Sequence, residues 1–409
     1  MAWAWSLFAR DAELTWEAVD RDPDIRIAED KDADVVLSRG LREAWEAGDY
    51  SADRLFSSEP MLRADTGDVD ALGMAFYLVN SLQEFGHPAK DQYGRFPYAA
   101  SLQHRFDVPT RDLVGEAFRD LFRRLEPLIG SGAFPEHPSA LFISHDVDRV
   151  YTGWKQDGKV ALRQGRVDRF LALARQRFFG LPAELDLKTL QEQNAALGIP
   201  GSFFILPRKA RPGTAAPDAD YELSDPRMQA QCAALLARED TILGLHRSFA
   251  GDLLAEQLLL PAKPRANRNH FLHFRLPDHY HAVEAAGLAL DSSLAFAEAT
   301  GFRNSYARPF HPFNLVERRS FRFLEVPFQF MDTTFQHYRH DGPAGALAAG
   351  KSLLEAHPTN AVIGMLWHND YLSGDTGRIY RPVYEALVAE ALSLGLRPKG
   401  LADWLQELA

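Results

Sequence analysis

Two carboxylates stand two residues apart where an apolar run stops, in Ala140-Leu141-Phe142-Ile143-Ser144-His145-Asp146-Val147-Asp148. The apolar half reads as a short buried strand and the polar half as its carboxyl end. Side chains two apart on a strand share a face, so Asp146 and Asp148 project together. Two close carboxylates repel unless a cation lies between them or one of them holds a proton. A metal site with an acid/base partner is one reading; an Asp-rich turn held by its own hydrogen bonds is the other. Similar residues recur at later apolar runs: His246 after Thr241 to Leu245, His270 in a run to Phe274, Asp291 after Ala289-Leu290, and His368 after Ala361 to Trp367. One histidine behind a strand is usually a hydrogen-bonded rim or core residue. Several strands delivering Asp or His to one rim point instead to mixed ligation of zinc or another divalent first-row metal, with a position open for water. Such a metal lowers the pKa of its water, and a nearby carboxylate can take the proton.

The elements that must position these residues alternate between strand-like and helix-like from residue 136 onward. Strands are expected at 141–144, 201–206, 241–246, 270–274, 289–293, 323–326 and 361–367. Helical patterns lie between them: a stretch up to Leu197, a helix capped at Ser224 with Met228, Cys232 and Leu235 in register, and helices at 253–260 and 278–286. This alternation implies a largely parallel α/β sheet, and about seven strands in about 270 residues suit a (β/α) barrel better than an open sheet. Chemistry in parallel sheets collects at the carboxyl ends of the strands, where the Asp and His residues fall. Residues 1–135 read as a small α+β domain with helices over 70–84 (Leu72, Phe76, Val79 and Leu82 on one face) and 109–129, the second capped by Thr110. A turn-rich connection, Lys90 to Pro97, lies between them. The run from Gly130 to Pro138 marks the boundary with a second domain, 136–409.

The pattern from Ala140 to Ala409 resembles the polysaccharide deacetylases, the nodulation-protein-B type of carbohydrate esterase, which implies a distorted barrel. Ser144-His145-Asp146-Val147-Asp148 looks like the Asp-x-Asp variant of that family's Thr-Phe-Asp-Asp-like motif. The resemblance implies that Asp146 is the general base and Asp148 a metal ligand. Gly201-Ser202-Phe203-Phe204 is similar to the family's Thr-Phe-Phe strand, and Leu243-Gly244-Leu245-His246 to the strand that supplies a ligand histidine. Arg268-Asn269-His270-Phe271 resembles the Arg-x-Pro-Tyr motif, with His in place of Pro, so Arg268 inherits the role of steadying the base. Val362 to His368 resembles the closing motif whose histidine is the general acid, and Asp332 falls where the family has the carboxylate that orients it. One departure stands out: the family's His-x-x-x-His needs a histidine where this chain has Ala250. His270 is the expected replacement, His145 a second candidate, and a site that binds metal poorly or not at all a third. The first domain resembles the extra domain of some members through Phe76-Tyr77-Leu78 and Asp91 to Phe96. The implied activity is metal-dependent removal of N-acetyl, less often O-acetyl, groups from a sugar or glycan, with zinc as the first choice of cofactor. The competing class is a glycan-binding or scaffold protein that kept the barrel and lost the metal.

Bulk properties narrow the partners. With 45 Lys and Arg against 56 Asp and Glu, the net charge is −11, which argues against a nucleic-acid surface and against an anchor on anionic lipid. No apolar run approaches the roughly 20 residues needed to span a bilayer. Met1 to Ser6 has no basic leader region, so no signal peptide is read and a cytoplasmic location is expected. The single cysteine, Cys232, excludes an internal disulfide and sits on an apolar helical face. The loop holding Phe302-Arg303-Asn304 and Arg308 to Phe313 reads either as a sugar-stacking surface or as a packed loop held by its prolines. His279 and His281, two apart in a helix, diverge. The oligomeric state stays open.

Overall fold

A computed structural model describes all residues except 20–22, 57, 131, 151–153, 180–186, 211–215 and 409. Residue 131 of the expected boundary run, and residues 151–153 and 180–186 of the helical stretch before Leu197, lie outside the described residues. Eight strands form one continuous path: β1 Ala140–Val147, β2 Gly201–Ile205, β3 Thr241–Arg247, β4 Ala266–Asn269, β5 Leu290–Asp291, β6 Leu324–Glu325, β7 Phe330–Met331 and β8 Val362–Leu366. Their spatial order is β6-β5-β4-β3-β2-β1-β8-β7, and every neighbouring pair is parallel. A short β9, Arg397–Pro398, pairs with the start of β1.

The two edge strands, β6 and β7, are close in sequence, and this forces the sheet to curl. Laid flat, eight strands about 4.8 Å apart would separate the edges by about 34 Å. The five residue steps from Glu325 to Phe330 reach at most about 18 Å. The result is a curled parallel half-barrel with helices around it, an α/β fold preceded by a small N-terminal domain. The sequence pattern called for about seven strands; β7 is too short, at two residues, to show any periodicity.

Strand alternation sorts the side chains of the sheet into two of the apolar clusters. Phe142, Phe204, Ala266, Leu290, Leu324 and Val362 face the barrel interior, where Leu401, Trp404 and Leu405 of the terminal helix join them. Leu141, Ile143, Phe203, Ile205, Leu243 and Leu245 face outward into the larger core. By the period of two, Ser144 and Asp146 share the inner face with Phe142, and His145 shares the outer face with Ile143.

Among its described residues the N-terminal domain combines helices with one two-residue parallel pair, Ile27–Ala28 with Val35–Val36, and one isolated antiparallel bridge, Arg63 with Val69. Two expected helices are shorter than their apolar patterns. The first runs Ala71–Val79 from an Asp70 cap and is buried on all sides; Ser81, at φ 52°, then breaks it before a turn of 3-10 helix, Leu82–Glu84. The second runs Leu113–Ile129, and its cap is Asp112, which accepts from the Gly115 N–H at 3.0 Å, rather than Thr110. The helix after β2 begins at Pro226 with Asp225, not Ser224, as its cap. Residues of both parts, Phe118 and Tyr306 among them, belong to one continuous core. Among the described residues no helix is long and apolar enough to cross a membrane.

Candidate metal centre

All the residues that matter project from the carboxyl ends of parallel strands, and so from one mouth. His246 is the penultimate residue of β3, with its Nδ1 3.0 Å from the Arg268 carbonyl oxygen on β4. His270 follows β4 directly; it opens a single 3-10 turn, His270–Leu272, rather than lying within a 270–274 strand. Its Nε2 is 3.1 Å from the Pro217 carbonyl oxygen. A carbonyl only accepts, so both outer ring nitrogens carry hydrogen. The two inner nitrogens, His246 Nε2 and His270 Nδ1, then face each other at 3.0 Å with a lone pair each. Either an added proton or a cation must lie between them.

The third corner of the site favours a cation. Asp148 Oδ1 lies 3.4 Å from His246 Nε2 and 3.6 Å from His270 Nδ1, and among the described residues this buried oxygen has no hydrogen-bond partner. The edges of the triangle, 3.0, 3.4 and 3.6 Å, bracket the ~3.3 Å ligand-to-ligand spacing of a tetrahedron with bonds of about 2.0–2.1 Å. Asp148, His246 and His270 thus form a donor set that fits a metal ion. Electrostatics agree. Burial alone would raise the Asp148 pKa, but His270, His246 and His368 hold it well below the usual carboxylate range. Burial lowers His270, whereas for His246 the pull of Asp146 and Asp148 outweighs burial and raises it.

Asp146 and Arg268 form a buried pair beside this triangle. Arg268 Nη1 donates to Asp146 Oδ1 at 2.9 Å and to Ser144 Oγ at 2.8 Å, while Nε and Nη2 donate to Ser292 O and Oγ, each at 2.8 Å. Its guanidinium lies between the rings of Phe204 and Phe328, 4.3 and 4.7 Å from their centroids. Gly244 and Gly364 make room for this stack: a Cβ at Gly244 would come within 2.6 Å of the Phe204 ring, and one at Gly364 within 2.6 Å of Phe328 Cα. Asp146 Oδ2, the oxygen Arg268 leaves alone, turns to His246 Nε2 at 3.5 Å.

On the other side, His368 follows β8. Asp332, just after β7, receives the His368 backbone N–H on Oδ2 and lies 2.7 Å from its ring Nδ1 through Oδ1. His368 Nε2 then points toward Asp148 Oδ2 at 3.9 Å. Burial would lower the His368 pKa, but Asp332 first, then Asp148 and Asp146, push it up to about 10.

Two residues that the sequence placed among the strand-end candidates, His145 and Asp291, turn away from the site for a common reason, the parity of the strands. His145 lies on the outer face, its Nδ1 2.7 Å from the Trp367 carbonyl and its Nε2 2.8 Å from Asn194 Nδ2, so it does not reach the triangle. Asp291 likewise turns outward from β5. It pairs with His279 at 2.9 Å and accepts from Asn267 at 2.7 Å, away from the mouth. His281 packs against Phe321 instead. The 302–313 loop is packed rather than open at the mouth: Phe302 and Phe310 are buried, and Arg303 is bound to Glu84 through bonds of 2.8 and 2.7 Å. Cys232 is buried in the core.

A pocket of about 440 Å³ opens over the triangle. Sequence reasoning missed much of its lining. Gln92, Tyr93 and Arg95 come from the N-terminal domain, His337 and Tyr338 from a π-helical turn at Thr334–Tyr338, and Tyr371 from the turn after His368. Such π turns are frequent at functional sites. Phe271 and Leu272, also at the pocket, have φ of 57° and 50°. Consecutive left-handed residues without glycine cost about 1–3 kcal/mol each and persist only where their surroundings hold them.

A family of unknown function (DUF7033) matches residues 21–129. No curated protein matches the chain. Among solved structures the chain is similar to a candidate polysaccharide deacetylase from Mycobacterium smegmatis, with 12% identity and a TM-score of 0.40 over 66% of this chain and 91% of that one. It is also similar to a 4-alpha-glucanotransferase from Thermococcus litoralis, with 8% identity and a TM-score of 0.35 over 65% of this chain and 38% of that one. Likenesses of that size carry no functional argument, and the chemistry of the side chains has to supply it.

Proposed function

We propose that this protein is a metal-dependent hydrolase that removes an N-acetyl group from a sugar or glycan. The observation that carries the proposal is the convergence of five groups at one mouth: the Asp148, His246 and His270 donors, with the Arg268-held carboxylate of Asp146 and the Asp332-held imidazole of His368 around them. A divalent ion held by the three donors, zinc being suited to a His/carboxylate set, would supply Lewis acidity and a water more acidic than bulk water. The remaining steps belong to the chain. Asp146 Oδ2 takes the proton of the attacking water, while Arg268 on Oδ1 keeps the carboxylate oriented. An amine cannot depart as an amide anion. His368 Nε2 therefore delivers a proton to the nitrogen as the C–N bond breaks, yielding acetate and the free amine. Asp332 keeps that ring turned toward the site by holding Nδ1.

Aromatic side chains at the pocket, Tyr93, Phe271 and Tyr338, offer apolar faces of the kind that stack on sugar rings. The test is acetate release from N-acetylated oligosaccharides by zinc-loaded protein. Activity abolished by metal chelation, and greatly reduced in Asp146→Asn and in His368→Ala with the fold intact, is the expected result. Wild-type rates in either variant reject the assigned roles. A purified protein that binds no metal and releases no acetate, yet retains glycan, moves the reading to a binding protein.

A further inference from the structure

We infer that Arg95 of the N-terminal domain is a positioning residue for the ligand His270, so that metal affinity depends on a domain that contributes no ligand. The inference rests on the reading of Asp148, His246 and His270 as the ligand set. His270 is not held by a strand. It begins a turn whose next two residues, Phe271 and Leu272, are both left-handed and neither glycine. Something outside the turn must hold it in that conformation. Arg95 Nη1 donates to the Phe271 carbonyl oxygen at 2.6 Å, across 176 residues of sequence.

The guanidinium is itself firmly fixed. Its side chain is 4% exposed, its Nη2 lies 2.6 Å from Asp91 Oδ2, and it sits over the rings of Tyr93 and Tyr338 at 5.0 and 5.6 Å. Asp91 also caps its own turn, accepting from the Tyr93 and Arg95 backbone N–H groups at 2.9 Å each. Tyr93 packs on the Phe271 ring at 5.0 Å, so ring and carbonyl of the same strained residue are both gripped from the first domain. Further grips on the turn come from within the barrel: Arg247 Nη2 donates to the His273 carbonyl at 2.6 Å, His270 Nε2 bonds the Pro217 carbonyl, and Phe249 packs on the Phe271 ring at 5.9 Å. The guanidinium that pairs with Asp91 in its own turn thus also reaches a carbonyl in the other domain. It fixes the backbone that aims His270 Nδ1 at the triangle.

The test measures zinc affinity of the full chain by competition with a chromophoric chelator, beside the unfolding midpoint of the metal-free protein. Loss of a group that orients a ligand weakens binding by roughly 10- to 100-fold, and this is the loss expected for Arg95→Met. Arg95→Lys keeps a charge beside Asp91 while losing the fork that reaches both partners. It should lose roughly tenfold and carries the test if the Met variant does not fold. Phe271→Gly removes the left-handed penalty, so adding it to either Arg95 variant should restore part of the affinity. Unchanged affinity in Arg95→Lys, or a loss that Phe271→Gly leaves untouched, overturns the proposal. A wild-type protein that takes up no zinc overturns the ligand set and the proposal with it; zinc binding lost in His246→Ala but intact in both Arg95 variants overturns the proposal alone.

Discussion

Arg268→Met should be among the most damaging single substitutions in the barrel, and the structure sets the size of the effect. Arg268 is fully buried, neutralises a carboxylate that is itself 3% exposed, and makes four hydrogen bonds to Asp146, Ser144 and Ser292. Methionine fills part of the volume between Phe204 and Phe328 but leaves Asp146 Oδ1 buried without the guanidinium it faces, the His246 ring lying beside Oδ2 alone. Breaking one side of a buried pair costs about 3–5 kcal/mol, against about 1 kcal/mol for an ordinary hydrogen bond. Urea unfolding of the metal-free protein should show a loss in that range. The control is the double variant Arg268→Met with Asp146→Asn, in which no uncompensated charge remains. It should be more stable than the sum of the single variants by about 2–3 kcal/mol. If the losses of the two single variants simply add, the carboxylate and guanidinium are not coupled, and the argument that Arg268 orients the base fails.

Asp332→Asn should lower kcat by about 10²- to 10⁴-fold with little change in KM, because it removes the charge that keeps the His368 ring protonated and leaves one amide oxygen for two donors, the His368 backbone N–H and the ring Nδ1, without touching the pocket wall; steady-state kinetics on one N-acetylated oligosaccharide would show it, and a change confined to KM would contradict it. The helix cap Asp112 has its pKa raised by burial from 3.8 to about 6, although the Gly115 and Ala307 N–H groups both bond Oδ1 and oppose the rise. A carboxyl whose folded pKa is raised stabilises the fold below its unfolded pKa, and this contribution is lost as pH climbs through the folded value. Asp112→Asn keeps the Oδ1 acceptor, so relative to wild type it should gain about 3 kcal/mol between pH 4 and pH 7; a stability difference independent of pH over that window would refute the assignment. The Glu84–Arg303 pair, bidentate and buried across the two domains, predicts that Glu84→Ala costs about 3–5 kcal/mol; thermal denaturation with a midpoint unchanged from wild type would show the pair contributes nothing.

Much of the site could be read from residue types at strand ends. Asp146 and Asp148 share parity with the inward Phe142, and the change from the apolar run Ala140 to Ile143 to the polar residues after it marks where their strand nears its end. His246 and His368 likewise follow apolar runs. Asp291 shows where this reasoning fails. Its strand is two residues long, and which of Leu290 and Asp291 faces inward depends on the register with β4, where Ala266 pairs with Leu290. A pattern of two residues carries no period, so the wrong face was an even choice. The 302–313 loop stays open in the sequence for another reason: its aromatic and basic residues suit a sugar surface and a packed loop equally, and only the position of Glu84 decides between them.

Local composition alone determined the alternation of strand and helix, the order of the strands along the chain, and the arrival of acidic and imidazole side chains at their carboxyl ends, because hydrophobic period and strand direction are properties of short segments. Tertiary structure decided which of those side chains meet. Curling brings β1, β3, β4, β7 and β8 round one mouth, although Asp332 and Asp148 are far apart in sequence. Tertiary structure also placed Arg95 against the turn behind His270, a contact between segments whose own preferences make no reference to one another. Contacts of that kind depend on how separate elements fill shared space, and no window of sequence holds both partners.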